Sequence, residues 1–296
     1  MNATPIPRLS PAPGLGRPAV TSSGEARDAR AAARLEPGAL PRVSPLLLRW
    51  FTWYCWRYLR RHFHSLRVAQ AGRPPAAPGW PLVIYANHAS WWDPIVGLAI
   101  KDACFPGRTL YAPIDAAMLE RYRLFGRLGF FGVEQQNVRG AVRFLRTSQS
   151  VLAAPDSLLA LTPQGRFADA RERPVRFAAG LGHLAARVER ALFVPMATEF
   201  VFWEERLPEI LVRCGRPLEI QPGDGGRRSP AEWTDLLEQR MELAQDTLAL
   251  EAQRRDPADF DSLLRGGAGQ GGIYDLWRAL KAGCRGQTFA REHGRK

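Results

Sequence analysis

The chain has 296 residues and a net charge of +12, and 38 of its 41 basic residues are arginine. Its hydrophobic content of 46% can build one large domain, and the absence of any run of 18 apolar residues argues against a membrane-spanning helix. Such a charge indicates an anionic partner, but no helix-turn-helix, zinc-finger or aromatic RNA-binding motif accompanies it, so nucleic acid is not expected.

The cysteines and the N-terminus indicate the compartment. Cys55, Cys104, Cys214 and Cys284 are far apart and form no CxxC pair, which gives neither a zinc pattern nor a disulfide framework. The N-terminal segment lacks the apolar stretch of a secretory signal. These features favour a reducing, cytoplasmic compartment.

Two segments precede the part of the chain that looks like a folded domain. Residues 1–44 are rich in proline, alanine, glycine, serine and arginine, which predicts a disordered tail. Residues 46–70 are aromatic, contain five arginines and contain no acidic residue. At about 100° per residue, one sector of a helix there would hold five basic residues: Arg49, Arg57, Arg60, His64 and Arg67.

The opposite side of that helix is apolar, so the segment is predicted to be amphipathic. This predicts an interfacial helix that turns its arginines toward anionic headgroups, with peripheral attachment to the cytoplasmic face of a membrane. The alternative is a helix packed on the core of its own domain.

Residues 80–220 alternate strand-like and helix-like patterns. The strand candidates are 82–86, 109–112, 130–133, 157–162, 192–202 and 210–214. The helix candidates are 94–100, 116–124, 141–152 and 180–189. The alternation predicts an α/β fold with a mixed, largely parallel central sheet and flanking helices, preceded by the interfacial helix.

The C-terminal part of the chain is predicted to be helical and then irregular. Ser229, Pro230 and Glu232 supply an N-cap, a first-turn proline and a capping-box acid, which predicts a helix over 229–255 within an extension over 221–264. Residues 265–296 read as a glycine-rich linker and a basic tail, either a second membrane-touching element or a frayed end. The glycines precede no P-loop lysine, so no nucleotide site is expected.

The most informative stretch follows the strand candidate 82–86 and reads Asn87-His88-Ala89-Ser90-Trp91-Trp92-Asp93-Pro94. The imidazole of His88 can take a proton from a hydroxyl, and the carboxylate of Asp93 can hold its other ring nitrogen. No serine or cysteine motif nearby reads as a nucleophile, so that proton would come from a bound substrate. The alternative is a loop-end histidine with a local hydrogen bond.

This stretch resembles the NHxxxxD motif of the glycerolipid acyltransferases, the family of the 1-acylglycerol-3-phosphate (PlsC-like) acyltransferases. Three blocks follow in the family's order, at 129–145, 161–167 and 193–197. They are similar, respectively, to its strand-turn-helix motif, its FPEGTR motif and its apolar VPV strand. The resemblance covers about residues 80–220.

The resemblance implies transfer of an acyl chain from acyl-CoA or acyl carrier protein to a hydroxyl of a lysophospholipid or related lipid. His88 would be the general base, Asp93 would orient it, and no metal or other cofactor would be needed. The residues expected to contact substrate are Asn87, Ser90, Gln135, Asn137, Gln164, Gly165 and Arg166.

Two blocks depart from the family's pattern. Gln135 stands where the family usually carries an arginine for the acceptor's phosphate, and Gln164 replaces the usual glutamate. The arginine of the third block is displaced, so that Phe167 takes its place. We therefore expect acyl transfer to an acceptor other than lysophosphatidic acid.

Other readings remain open at this point. The acceptor could be a glycolipid or an amino-acid lipid, or the chain could be a non-catalytic basic protein that binds membranes or nucleic acid. Cationic contacts could come from Arg166, Arg171, Arg173 and Arg176, or these could form a solvated basic loop. The sequence indicates no oligomeric state.

Overall fold

The apolar runs of the described residues form one mixed sheet of nine strands. The computed structural model describes residues 40–134, 137–154 and 156–268. The strands are β1 Ser65–Ala69, β2 Leu82–Ala86, β3 Thr109–Asp115, β4 Phe130–Val133, β5 Ser157–Leu161, β6 Ala191–Val201, β7 Glu209–Cys214, β8 Leu218–Ile220 and β9 Phe260–Arg265. The helices are α1 Pro45–His62, α2 Asp93–Cys104, α3 Ala116–Arg121, α4 Val138–Leu152, α5 Gly180–Ala185 and α6 Pro230–Arg254.

The strand order is β4-β3-β5-β2-β6-β7-β1-β9, and β8 pairs with the start of β6. Of the eight strand pairs, five are parallel: β1 with β7, β2 with β5, β2 with β6, β3 with β4, and β3 with β5. The predicted α/β fold with a mixed, largely parallel sheet is therefore confirmed. All five residues of β2 are buried in the middle of this sheet, and the carboxyl ends of such central strands are where α/β folds bind ligands.

Helices cover both faces of the sheet because its strands alternate their apolar side chains. On one face, Leu82 and Ile84 of β2 pack in the same cluster as Cys55 and Leu59 of α1 and Val96 of α2. On the other face, a second cluster joins Val83 and Tyr85 to side chains of α4, α5 and α6. The segment that follows β2 therefore continues from a strand that helices cover on both faces.

The helix predicted over 46–70 ends at His62, and residues 65–69 form β1 instead. Arg67 lies on this strand and forms an ion pair with Glu209 of β7 at 2.5 Å. His64 is 8% exposed, and its Nδ1 lies 2.9 Å from the carbonyl oxygen of Gly267. Arg67 and His64 are therefore not part of a helix, and the cationic side of α1 has fewer basic residues than the sequence predicted.

The helix predicted in the C-terminal extension is present as α6, with its capping box at Ser229 and Glu232. The extension then ends in β9, which pairs antiparallel with β1, and the N–H of Gly266 donates to the carbonyl of His64 at 2.7 Å. The sheet therefore reaches beyond the predicted limits of 80–220 at both ends.

Parts of the predicted organisation lie outside the described residues. These are positions 1–39 of the predicted tail and positions 269–296 of the glycine-rich linker and basic tail, including Cys284. Over the ranges that the structure does describe, no helix combines the length and the apolar character needed to cross a bilayer.

Candidate active site

Asn87 fixes the carboxyl end of β2 to the neighbouring strand β6. Its side-chain amide donates to the carbonyl of Thr198 at 3.0 Å, and its side-chain carbonyl accepts from the N–H of Thr198 at 2.8 Å. The residue is 1% exposed. An amide side chain both donates and accepts, so it continues the pairing of two strands where the backbone of β2 has turned away.

His88 and Asp93 meet directly after this anchor. Nδ1 of His88 lies 2.8 Å from Oδ2 of Asp93, which also accepts from the N–H of Ser90 at 2.9 Å. The side chain of Asp93 is 7% exposed and that of His88 is 21% exposed. Asp93 is the first residue of α2, where the helix dipole favours a negative charge.

The contact with Asp93 determines which ring nitrogen of His88 is basic. An ionised carboxylate only accepts hydrogen bonds, so Nδ1 must carry the hydrogen, and the lone pair of the neutral imidazole is then on Nε2. None of the described residues forms a hydrogen bond with Nε2. The arrangement therefore presents an oriented base to a group that enters from solvent.

The third block of the sequence folds over His88. Oε1 of Gln164 accepts from the backbone N–H of His88 at 2.7 Å, and the N–H of Ala168 donates to the carbonyl of His88 at 2.9 Å. The ring of Phe167 lies with its centre 4.3 Å from that of the imidazole, at 35° to it. The backbone and the ring of His88 are thus both held by this segment, residues 162–178, which we name the covering loop.

Gly165 and Arg166 turn the covering loop rather than contact His88. Gly165 has φ of +67°, and its N–H donates to the carbonyl of Thr162 at 3.2 Å. Arg166 donates to Glu172 at 3.1 Å, which lowers the pKa of that carboxyl. The N–H of Gly165 is thus already used within the turn.

The second block contains β4, the strand at one edge of the sheet, and the start of α4. Gln135 is outside the described residues, and Asn137 caps α4 by accepting from the N–H of Gly140 at 2.7 Å. The side-chain amide of Asn137 donates to Glu134. Among the described residues, Asn137 therefore takes no part in the hydrogen-bond network of His88. The fourth block lies beside β2, where Val194 pairs with Ile84 in register.

The predicted basic run proves to be a set of ion pairs. Arg166 pairs with Glu172, Arg171 with Asp169, Arg173 with Asp246 and Arg176 with Glu238. Two of these carboxylates belong to the loop itself, and two belong to α6. The run is therefore neither a free cationic patch nor a merely solvated loop.

Aromatic side chains near His88 were not among the predicted site residues. Phe167 is 59% exposed and Trp91 is 63% exposed. Trp92 packs inward instead, with its ring 5.2 Å from that of Tyr58 and 5.3 Å from that of His62. The signal in the sequence was the density of aromatic residues around the motif, but it does not reveal which of them face solvent.

The described cysteines do not offer a nucleophile. Burial raises the pKa of Cys55 to about 11 and that of Cys214 to about 12, and it also raises the pKa of Cys104. These thiols stay protonated near neutral pH, and it is the thiolate that attacks carbonyl carbons. Within the same described ranges, no cluster of three or more His, Cys, Asp or Glu side chains could hold a metal ion.

Comparison with models of known protein families finds no family that matches this chain. No curated protein matches it either.

Proposed function

We propose that the chain is an acyltransferase that moves a fatty acyl chain from a thioester, carried by CoA or acyl carrier protein, to a hydroxyl of a lipid. The observation that carries the proposal is the His88 imidazole, whose Nδ1 is held by Asp93 at 2.8 Å while Nε2 has no described partner. A half-buried, oriented base at the carboxyl end of a central strand suits proton abstraction from a bound alcohol.

The reaction proceeds by addition and elimination. Nε2 of His88 takes the hydroxyl proton of the acceptor as its oxygen bonds to the thioester carbonyl carbon, and Asp93 stabilises the resulting imidazolium. The tetrahedral intermediate then collapses, the carbon–sulfur bond breaks, and the imidazolium returns the proton to the leaving thiolate. A general base of this kind contributes about 10²–10⁴ in rate, and holding both substrates together contributes further.

The surface of α1 supports a membrane location for this chemistry. Leu46, Trp50, Trp53 and Tyr54 are exposed large hydrophobic residues on this helix. The same helix carries exposed arginines and no acidic residue. Aromatic rings and arginines together suit the headgroup region of an anionic bilayer, which would also bring a lipid acceptor to the enzyme.

Thioester consumption by the purified full chain tests the enzymatic proposal. Palmitoyl-CoA and an acyl carrier protein donor are each offered a total lipid extract, and the products are read by mass spectrometry. We expect a new acyl lipid from the wild type and none from His88→Ala. His62→Ala, which removes an imidazole that does not contact Asp93, is the matched control and should keep activity within about twofold.

The two adverse outcomes have different meanings. Equal product from His88→Ala and the wild type would contradict the role of His88. Lack of product from either donor, with vesicle binding intact, would instead favour the alternative of a non-catalytic basic membrane-binding protein.

Vesicle co-sedimentation tests the membrane location. We expect binding to vesicles that contain phosphatidylglycerol, weaker binding to pure phosphatidylcholine, and loss of binding as salt rises, because exposed charges are screened. Trp50→Ser combined with Trp53→Ser should weaken binding about tenfold or more. Leu243→Ser combined with Leu250→Ser, which removes two exposed leucines of α6, should not. Undiminished binding by the tryptophan variant would contradict the location.

A further inference from the structure

The surroundings of His88 contain paired charges and exposed aromatic rings. This combination indicates which chemical class of acceptor the site can bind. The covering loop has four arginines, and each is paired with a carboxylate. The loop and its partners are therefore electrically balanced. A phosphate placed beside His88 would find no unpaired guanidinium on this loop.

Recruiting one of these arginines would leave a carboxylate behind. Glu238 shows this most clearly, because it is 5% exposed and accepts from Arg176 at 2.9 Å and from the N–H of Phe177 at 2.7 Å. Removing one partner of a buried charge is strongly unfavourable. Bidentate recognition of phosphate by arginine would have to compete with pairs already formed.

Exposed arginines without an ion pair among the described residues lie outside the covering loop. Arg139 and Arg143 are on α4, which packs with α5 and α6 on one face of the sheet. Others project from α1 with its exposed aromatic residues. In a glycerol phosphate the phosphate is attached to a carbon that neighbours a hydroxyl-bearing carbon. It would therefore lie beside Nε2, next to the covering loop, and no described arginine forms a hydrogen bond or ion pair with His88 or Asp93.

Phe167 occupies the space next to the base. Its ring is tilted at 35° to the imidazole, with the ring centres 4.3 Å apart, and the residue is still 59% exposed. Trp91 is 63% exposed in the segment between His88 and Asp93. Covering such rings with the carbon faces of a substrate is favourable, whereas covering them with a phosphate would desolvate the charge without a partner.

The geometry points to an acceptor whose head group is an uncharged polyol, as in a monoacylglycerol or a glycosyl lipid. This inference rests on acyl transfer at His88 and goes beyond it by naming the class of acceptor. The carbon face of the polyol lies on Phe167, and one of its hydroxyls reaches Nε2 of His88.

A matched pair of acceptors tests the inference directly. Purified full chain and palmitoyl-CoA are offered 1-oleoylglycerol or 1-oleoylglycerol 3-phosphate in the same mixed micelles. A monoglucosyl lipid is offered as a third acceptor, to determine whether the polyol is the glycerol of a monoacylglycerol or the sugar of a glycosyl lipid. We expect kcat/KM for at least one uncharged acceptor to exceed that for the phosphate by about tenfold or more. An equal or higher kcat/KM for the phosphate overturns the inference.

A charge placed next to the base sharpens the test. Phe167→Arg should shift the ratio of the two kcat/KM values about tenfold toward the phosphate, since it supplies the unpaired cation. Phe167→Leu, which stays uncharged, should lower both values without that shift. Phe202→Arg makes the same change at another exposed phenylalanine, beyond the end of β6, and should leave the ratio within about twofold. A ratio unchanged in Phe167→Arg overturns the assignment.

The outcomes also separate this inference from the function on which it rests. If product formation depends on His88 but the phosphate is the better acceptor, acyl transfer is supported and the uncharged acceptor is contradicted. If none of the three acceptors gives a product that depends on His88, both acyl transfer and the uncharged acceptor are contradicted.

Discussion

The two segments that meet at His88 are held in different ways. The segment from Asn87 to Asp93 is fixed by buried hydrogen bonds, with Asn87 1% exposed and the Asp93 side chain 7% exposed. The covering loop is fixed largely by ion pairs near the surface, such as Arg171 with Asp169, whose side chains are 79% and 56% exposed.

Buried polar contacts are costly to break, whereas exposed ion pairs contribute only about 0–1 kcal/mol each. The comparison indicates that the His88 imidazole is held rigidly and that the covering loop can adjust. Substitutions in the segment from Asn87 to Asp93 should therefore have large effects on turnover and stability. Substitutions in the covering loop should have smaller effects, and the more exposed the side chain, the smaller the effect.

The largest expected effect is that of Asp93→Asn on turnover. The substitution removes the charge that stabilises the imidazolium, and we expect kcat to fall by about 10²–10⁴. Asp102→Asn is the matched control on the same helix. It retains an acceptor for the indole N–H of Trp56, and its kcat should be unchanged within about twofold. A loss smaller than tenfold in Asp93→Asn would argue against its role.

The next effect concerns stability. Asn87→Leu leaves the backbone N–H and C=O of Thr198 buried without their side-chain partners, and we expect the free energy of unfolding to fall by about 2–4 kcal/mol. Asn137→Leu, which removes the exposed cap of α4, should cost about 1 kcal/mol. Urea unfolding of the two variants measures the difference, and equal losses would show that the buried anchor is no stronger than a cap.

Gln164 links the two segments, so its replacement should have an intermediate effect. Gln164→Leu removes the acceptor for the N–H of His88, and kcat should fall about tenfold, since one such hydrogen bond is worth about 1–1.5 kcal/mol. Gln164→Glu keeps that acceptor and should stay within about threefold of the wild type. If both variants lose activity equally, the contact with His88 is not what Gln164 contributes.

The smallest effect is expected at an exposed ion pair of the covering loop. Arg171→Ala should shift the midpoint of thermal unfolding by less than about 2 °C, because both partners are largely exposed and screened by salt. Thermal unfolding at low and high ionic strength would detect the change. A shift above about 5 °C would show that the loop is held more rigidly than its exposure indicates.

The local signals in the sequence identified the centre of the fold. The apolar run 82–86 is β2 with the same limits, and the spacing of His88 and Asp93 brings the two side chains together at 2.8 Å. Both features depend on residues close in the chain, so that periodicity and spacing suffice to predict them.

The parts that the sequence did not reveal depend on distant partners. Strands β1 and β9 are short and partly polar, and each becomes a strand only through its pairing with the other and, for β1, with β7. Arg176 and Glu238 are 62 residues apart, and Arg173 and Asp246 are 73 residues apart. No local pattern indicates such pairs, which explains why a basic run in the sequence proved to be charge-balanced by carboxylates of the loop and of α6.

The position of β1 also affects how the protein is made. This strand follows α1 almost at once, but its partners β7, Glu209–Cys214, and β9, Phe260–Arg265, are translated much later. At about 5–20 residues per second, α1 waits on the order of ten seconds or more on the ribosome before the sheet that it packs against can close. During that time the side of α1 that later packs on the sheet is accessible to a bilayer or a chaperone.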